Sequence, residues 1–459
     1  MRKKLSICLV LMLAFLTGLA FAADAKLINA QIVTEVLDWG ETITGVRLEY
    51  SEEVSGASII QNGENPGKLT YLVTGEHDID AVYVNNSGKK GEAEPNGKYV
   101  FLDFCLEGSN WINYRDYVTF NTTAKTRQQS EAIYVYQAEP IATVSGETIA
   151  PSGRTKTSGE IRIGIDEYSS FLYESDLLDD GVVFYYHLYI PEGYEQKDDS
   201  LENLPIILHF PSGDVTYEDY SGLYYGALFT HNDATEWVLD DAQAENPCFV
   251  LTYGGNTRVR WHGDIYVDIV NTLLDQYNID PSRIYGIGLA AGSNTMWETA
   301  FDHPDLFAGM LSVSFEFAKV YGEEDAAAKA GQLFDIAPTW VFVAEDDYSA
   351  TAQQPQNNLP KGPLVRTQVS ELEEMGYNID FADGNDMWNG LYRGKKADKQ
   401  AQEQIDRAES SGADAMVTLF LANTVRQTGH WVWTSVYTNA TVRDWLFSQV
   451  NDVPYIPAK

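Results

Sequence analysis

The sequence is poor in cysteine and in positive charge. It has 3 Cys among 459 residues, and 31 Lys and Arg stand against 67 Asp and Glu, for a formal net charge of −36. Two of the cysteines, Cys105 and Cys248, lie in apolar, strand-like runs, where a free Cys acts as a small buried hydrophobe, so a disulfide between them is not expected. Phosphate backbones and anionic lipid would repel the negative charge, so neither nucleic acid nor a membrane surface is an expected partner.

Histidine is scarce as well, and long apolar runs are confined to the first residues. None of the seven histidines has the H-x-H or H-E-x-x-H spacing of a zinc site, and neither a metal nor a cofactor is predicted. Three cations at positions 2–4 precede the apolar run Leu9–Phe21, and Ala20-Phe21-Ala22 has the small-x-small pattern of a signal-peptidase site. Residues 1–22 are therefore predicted to be a signal peptide rather than a membrane anchor, because the run is shorter than the ~20 residues of a span.

Removal of that segment would leave a secreted or periplasmic chain beginning near Ala23. No Cys follows the predicted cleavage site, so a lipoprotein anchor is not indicated. Since the segment carries three cations and no acids, the mature charge would be −39. No later run has the length and apolarity of a transmembrane helix, and the oligomeric state is left open.

The rest of the chain divides into two parts that differ in the spacing of their apolar residues. Residues 27–136 alternate apolar and polar side chains between Gly, Asn and Pro turns, which predicts a small antiparallel sandwich over residues 23–140. A linker is predicted over 141–160. From residue 161 to 459 strands alternate with helices, the pattern of a mostly parallel sheet covered on both faces. The expected buried strands are Leu204–Phe210, Cys248–Tyr253, Ile284–Leu289, Met310–Phe315, Trp340–Ala344 and Val417–Leu421, and the polar segment 390–412 is interpreted as a solvated insertion.

One segment carries a specific chemical signature. An apolar strand from Ile284 leads into Gly288-Leu289-Ala290-Ala291-Gly292, and a helical stretch follows as far as His303-Pro304. A strand, a Gly-x-x-x-Gly turn and a helix form the context of a nucleophile elbow, in which one side chain points into the site. The central residue of a hydrolase elbow is Ser, whereas here it is Ala290, which has no hydroxyl.

Several further motifs occur in the order expected of one family. They are Val36-Leu37-Asp38-Trp39-Gly40, Val82-Tyr83-Val84-Asn85, Gly97-Lys98-Tyr99-Val100, Ile279-Asp280-Pro281-Ser282-Arg283-Ile284-Tyr285, Asp302-His303-Pro304-Asp305-Leu306-Phe307, Pro338 to Asp347, Gly429-His430 and Asp444-Trp445-Leu446. With these motifs the chain resembles the α/β-hydrolase esterases of the polyhydroxybutyrate-depolymerase and feruloyl-esterase type, in the branch with an N-terminal immunoglobulin-like domain. The resemblance covers nearly the whole mature chain and implies an α/β-hydrolase fold after an immunoglobulin-like sandwich.

The resemblance also implies a set of site residues. The nucleophile, acid and base positions fall on Ala290, Asp347 and His430, in the chain order that this fold uses. His430 would be the general base, and Asp347 would orient its imidazole. Glu345 and Asp346 are the alternatives to Asp347.

Backbone donors for an oxyanion are expected from Ala291, Ser212 and Gly213, although Pro211 stands where the family usually has small residues after His, and proline has no N–H. Val343-Ala344 is a second departure from the family pattern. Trp431, Trp433 and Tyr348 are the candidates for contacting substrate, with core packing as the alternative. Ser293, three residues past the elbow centre, is expected to point away from the site.

The implied activity is hydrolysis of carbohydrate-linked, feruloyl or short polyester acyl groups, and two explanations of Ala290 remain open. In one, the natural parent has Ser at position 290 and this chain is a deliberate variant of it. In the other, the chain is a natural pseudoenzyme, a secreted glycan- or ligand-binding protein. A cell-surface carbohydrate-binding module and a peptidase of the same triad order are further alternatives. Loss of a triad nucleophile costs on the order of 10⁶ in turnover, so the chain as it stands should bind an ester better than it cleaves one.

Overall fold

The computed structural model describes residues 25–60, 69–74, 77–106, 112–113, 118–121, 126–129, 133–174, 177, 184–213, 226–253, 262–315, 325–347, 360–425 and 428–457. The predicted signal peptide therefore lies outside the described residues. The chain divides into two compact units, the first formed by residues 1–34, 43–112 and 131–161 and the second by residues 35–42, 113–130 and 162–459. The domain limits predicted at residues 140 and 161 stay a prediction.

The first unit is built of antiparallel strands. Its larger sheet contains β1 (Leu27–Leu37), β2 (Gly40–Ser55), β4 (Ile79–Asn85), β5 (Asn96–Phe104), β6 (Ile112–Asn113) and β13 (Glu160–Ile163), and a second sheet pairs β3 (Tyr71–Val73), β9 (Tyr134–Gln137) and β12 (Ser152–Lys156). The short strands β10 (Ile141–Ala142) and β11 (Thr148–Ile149) form a hairpin. In β2, Val46, Leu48 and Tyr50 are buried, and the residue after each of them is more accessible, which is the period-two pattern that predicted this fold class.

The second unit is organised around a nine-stranded sheet. Its strands are β14 (Tyr168–Tyr173), β15 (Phe184–Tyr189), β16 (Leu204–Phe210), β17 (Phe249–Thr252), β18 (Ile279–Leu289), β19 (Gly309–Val313), β20 (Thr339–Ala344), β21 (Ile379–Ala382) and β22 (Ala415–Phe420), in the order β14-β15-β17-β16-β18-β19-β20-β22-β21. The pairs from β17 to β21 are parallel, and β14 and β15 are antiparallel. A separate hairpin pairs β7 (Val118–Asn121) with β8 (Thr126–Gln129).

Among the described residues, seven helices lie in the connections between these strands, and two more follow β22. They are α1 (Gly226–Phe229), α2 (Asp240–Glu245), α3 (Gly263–Gln276), α4 (Ala291–Asp302), α5 (Ala326–Phe334), α6 (Lys361–Glu374), α7 (Lys395–Ser411), α8 (Trp433–Tyr437) and α9 (Ala440–Phe447). Buried apolar residues around the nine-stranded sheet form two clusters. Side chains of α3 to α6 pack in one, and side chains of α7 to α9 pack in the other. Neighbouring strand residues such as Val341 and Phe342 point to different clusters, so helices cover both faces of the sheet.

The predicted fold class is confirmed, and all six predicted buried strands coincide with strands of this sheet to within a few residues. The interpretation of segment 390–412 as a solvated insertion is wrong. Most of the segment forms α7, whose Ala397, Ala401 and Ile405 are buried at helical spacing. Cys105 and Cys248 are both free. No helix among the residues described combines the length and apolarity needed to cross a membrane.

Candidate active site

The strand-to-helix turn at Ala290 has the backbone of a nucleophile elbow. Strand β18 ends at Leu289, Ala290 has φ 50° and ψ −111°, and α4 begins at the next residue. This left-handed conformation is rare for a residue with a Cβ. The flanking glycines are required by space, because a Cβ on Gly288 would lie 2.6 Å from the Cα of Ser293 and one on Gly292 would collide with the Phe210 carbonyl.

His430 and Asp347 form a hydrogen-bonded pair. The His430 Nδ1 lies 3.0 Å from both carboxylate oxygens of Asp347. The Asp347 side chain is fully buried, whereas 35% of the His430 side chain is exposed. Burial raises the pKa of Asp347, but the hydrogen bond from His430 and the charge of Lys361 outweigh it, so the pKa lies below its usual value. The carboxylate therefore stays ionised at neutral pH and orients the imidazole through Nδ1, which directs the Nε2 atom away from it.

Two residues that the sequence did not single out hold this pair. The Lys361 Nζ lies 2.8 Å from Asp347 Oδ2 and donates to the Ser314 carbonyl at 2.8 Å. Ser314, at φ 57°, donates from Oγ to the His430 carbonyl at 2.7 Å. The side chain of Lys361 is 4% exposed. The base, the acid and the end of β19 are thus joined by one buried network.

The same strand end also holds the elbow. The amide of Ala290 donates to the carbonyl of Val313 at 2.8 Å, and Ser314 is the next residue along the chain. Ala290, Asp347 and His430 are therefore brought together at the carboxyl edge of neighbouring parallel strands, where α/β sheets place their sites. The positions taken from three distant segments of the sequence meet in one place.

The candidate oxyanion donors lie beside the elbow. Ser212 and Gly213 follow β16, and a Cβ built on Gly292 would come within 2.6 Å of the Pro211 carbonyl, so the two segments are in contact. The Ala291 amide is the first of α4 and has no partner within the helix. This arrangement is compatible with donation from Ala291 and from Ser212 or Gly213, and Pro211 contributes none.

His209, at the end of β16, has a structural environment that the sequence did not indicate. Its Nδ1 lies 2.7 Å from Thr252 Oγ1, its Nε2 lies 2.8 Å from Asp233 Oδ2, and its carbonyl accepts from the Tyr266 hydroxyl. The ring is completely buried. His209 therefore anchors the strand that leads into Pro211, Ser212 and Gly213.

The three aromatic candidates have different environments. Trp431 is half-buried and its ring lies 5.5 Å from that of Trp433. Trp433 is 1% exposed and packs in the apolar core, so only Trp431 of these two has accessible surface for a ligand. Tyr348 lies outside the described residues. Ser293 is buried and donates from Oγ to the Gly288 carbonyl at 2.9 Å, so its hydroxyl is used within the elbow itself.

The remaining alternatives to Asp347 are also placed by their partners. Glu345 forms two hydrogen bonds with Arg366, at 2.9 and 2.7 Å, and Asp346 Oδ2 accepts from the Asn423 amide at 2.9 Å. Only Asp347 of the three is hydrogen-bonded to His430. Within the part of the chain that the structure describes, no group of three His, Cys, Asp or Glu side chains is arranged to hold a metal ion.

Comparisons with known proteins find similar chains. Residues 29–150 match the family model of the esterase Ig-like N-terminal domain. A thermostable esterase of known structure superposes with a TM-score of 0.63 at 21% identity, over 92% of this chain and 100% of that one. The feruloyl esterase module from Clostridium thermocellum, solved with sinapinate, gives a TM-score of 0.39 at 13% identity over 63% of this chain and 90% of its own. No curated protein matches the sequence.

Residues 29–150 are therefore similar to the esterase Ig-like N-terminal domain, and the second unit has the α/β-hydrolase fold, as the resemblance implied.

Proposed function

We propose that the chain carries the site of a secreted serine-type carboxylic ester hydrolase whose nucleophile position is occupied by Ala290. The substrates would be carbohydrate-linked, feruloyl or short polyester acyl groups. The observation that carries the proposal is the pairing of His430 with a buried, ionised Asp347 beside an elbow that keeps φ 50° at Ala290.

The chemistry follows from this geometry once a hydroxyl is present at position 290. The serine oxygen would attack the ester carbonyl while His430 Nε2 takes its proton, and the imidazolium would then protonate the departing alcohol. The Ala291 amide would stabilise the oxyanion together with Ser212 or Gly213. Water, activated by the same imidazole, would release the acid. With alanine at position 290 the first step has no nucleophile.

The test is the Ala290→Ser chain. It should gain hydrolysis of a panel of acetyl, feruloyl and short hydroxyalkanoate esters, by up to roughly 10⁶-fold over the parent, which is the usual effect of a triad nucleophile. A fluorophosphonate should label the new serine, which reports a reactive nucleophile without knowledge of the substrate.

The matched control is the double variant Ala290→Ser with His430→Gln, which keeps the hydroxyl and removes the base. It should lose both labelling and hydrolysis. A folded Ala290→Ser chain that neither reacts with the fluorophosphonate nor cleaves any ester of the panel would contradict the proposal.

A second candidate, a natural pseudoenzyme that binds a glycan or another ligand, is favoured by Pro211 at the oxyanion loop, since it removes one backbone donor. Its test is retention of the unchanged chain on a set of plant polysaccharides. Retention that is lost on Trp431→Ala would support it. Failure to bind any glycan, together with gain of activity in Ala290→Ser, would reject it.

A further inference from the structure

A buried lysine contacts the carboxylate that orients His430. Lys361 opens helix α6, and its backbone amide donates to the Asp347 carbonyl at 2.9 Å while its Nζ lies 2.8 Å from Asp347 Oδ2. The two side chains are 4% and 0% exposed. A buried ammonium costs several kcal/mol in desolvation unless its charge is balanced, so this lysine is stable here because of Asp347. The carboxylate is thus shared between an ammonium and an imidazole.

Because the Asp347 carboxylate also pairs with Lys361, the electrostatic environment of the His430 imidazole changes. An ionised carboxylate alone stabilises the protonated imidazole and favours uptake of a proton. A lysine on the second side of the same carboxylate makes the Asp347–Lys361 pair neutral overall, so much of that stabilisation is cancelled. A general base must be unprotonated to accept a proton, so the lysine favours the form of His430 that can act.

Other charged and titratable groups lie around this pair. Asp346 reaches the loop before His430, since a Cβ on Gly429 would lie 2.5 Å from its Oδ1. The ring of His231 lies 4.6 Å from that of Trp433, and the ring of Trp433 lies 6.1 Å from that of His430. Asp347 is hydrogen-bonded to the imidazole and Lys361 is paired with Asp347, so these two charges act on His430 most directly.

We propose that Lys361 is a positioning residue that controls the protonation of His430 through Asp347. It holds one carboxylate oxygen, balances the charge of the carboxylate, and keeps His430 a neutral base down to a lower pH than Asp347 alone would allow. The same ammonium ties the Ser314 carbonyl to this site, and Ser314 in turn holds the His430 carbonyl. The inference rests on the proposed function only for its catalytic consequence.

The direct test needs no catalysis. The pH midpoint of His430 protonation is measured by nuclear magnetic resonance on the ¹⁵N-histidine-labelled chain with Ala290 unchanged, and His430→Gln identifies the signal. Lys361→Met, which keeps an apolar stem in the buried site, should raise the midpoint by about one pH unit, the size typical of one nearby charge. Lys361→Arg, which keeps the charge, should raise it by much less. An unchanged midpoint in folded Lys361→Met would overturn the proposal.

A second variant decides the question if Lys361→Met does not fold. Asp347→Asn leaves the ammonium near the imidazole without its counter-charge, so the midpoint of His430 should fall below that of the parent. A rise in that variant would contradict the electrostatic link. Circular dichroism and thermal unfolding establish that each chain is folded.

Kinetics in the Ala290→Ser background give the catalytic consequence. Lys361→Met should move the acidic limb of kcat/KM to higher pH by the shift seen for His430, with a smaller change on the alkaline plateau. A lysine that only supports the fold would lower kcat/KM equally at every pH. If Ala290→Ser has no activity, the proposed function fails while the resonance measurement still decides the role of Lys361.

Discussion

Ala290 combines an unreactive side chain with a backbone that side chains rarely adopt. Its φ of 50° belongs to the left-handed region, which costs of order 1–3 kcal/mol for a residue with a Cβ. The elbow keeps this geometry although alanine supplies no hydroxyl. The turn is held instead by the hydrogen bond from the Ala290 amide to the Val313 carbonyl and by the close packing of Gly288 and Gly292. The backbone of the elbow is therefore independent of the chemistry of its central side chain.

Two neighbouring alanines provide a test of this strain. Ala290→Gly removes the Cβ at a positive φ, whereas Ala291→Gly removes one inside the first turn of α4, where Gly costs up to about 1 kcal/mol. The free energy of unfolding, measured in urea, should be higher for Ala290→Gly than for Ala291→Gly by about 1 kcal/mol. Equal losses in both variants would show that the elbow conformation stores no strain.

At the scale of elements, helix α7 shows how composition can mislead. The segment is rich in Lys, Gln, Asp and Glu, and only a few small or apolar residues lie between them, so its composition predicts a solvated stretch. Those few lie on one face: Ala397, Ala401 and Ile405 are buried, and Gln404 uses its amide to donate to the carbonyls of Asp380 and Val417. The helix ends at Ser411, and Gly412 caps it with φ 65°. A helix with a narrow apolar stripe can thus cover a sheet.

This face predicts an asymmetric response to substitution. Ala401→Asp places a carboxylate at a fully buried position and should lower the free energy of unfolding by about 3 kcal/mol. Glu403→Asp, two residues on and exposed, is the matched control and should stay within about 0.5 kcal/mol of the parent. Chemical denaturation measures both, and a tolerated Ala401→Asp would mean that α7 is dispensable to the fold.

At the scale of the whole molecule, the formal net charge of −36 affects the stability of the fold. Like charges at this density repel one another and oppose the compact state, and dissolved salt screens the repulsion. The Asp347–Lys361 ion pair of the site is buried and is screened much less. Salt is therefore expected to act on the fold as a whole more than on the Asp347–Lys361 pair.

Thermal unfolding in sodium chloride tests this expectation. Raising the salt from about 0.01 M to about 0.1 M shortens the Debye length from about 30 Å to about 10 Å, so Tm at neutral pH should rise by a few degrees. The control is the same titration near the isoelectric pH, where the net charge vanishes and the effect should disappear. A fall in Tm at neutral pH would show that attractive surface pairs outweigh the net repulsion.

The sequence predicted the fold class and most of the strands because buried parallel strands are continuous apolar runs between helices. The resemblance also predicted Ala290, Asp347 and His430 as the triad positions, and this assignment stays a prediction. Of the three neighbouring acids, Asp347 rather than Glu345 or Asp346 is hydrogen-bonded to His430. The sequence alone did not indicate that Lys361 and Ser314 contact the pair of Asp347 and His430. Lys361 lies 14 residues beyond Asp347, and a lysine at the start of a helix carries no local sign that its charge is buried.

The residues themselves thus determined the period of each element, the glycines that a strand-to-helix turn requires, and the missing hydroxyl at position 290. Only the tertiary structure decided which side chains share a site, since the order of the parallel strands differs from their order in the sequence. That order brings the ends of β18, β19 and β20 together. It places Lys361 against the carboxylate of Asp347, buries Trp433, and leaves His430 partly open to solvent.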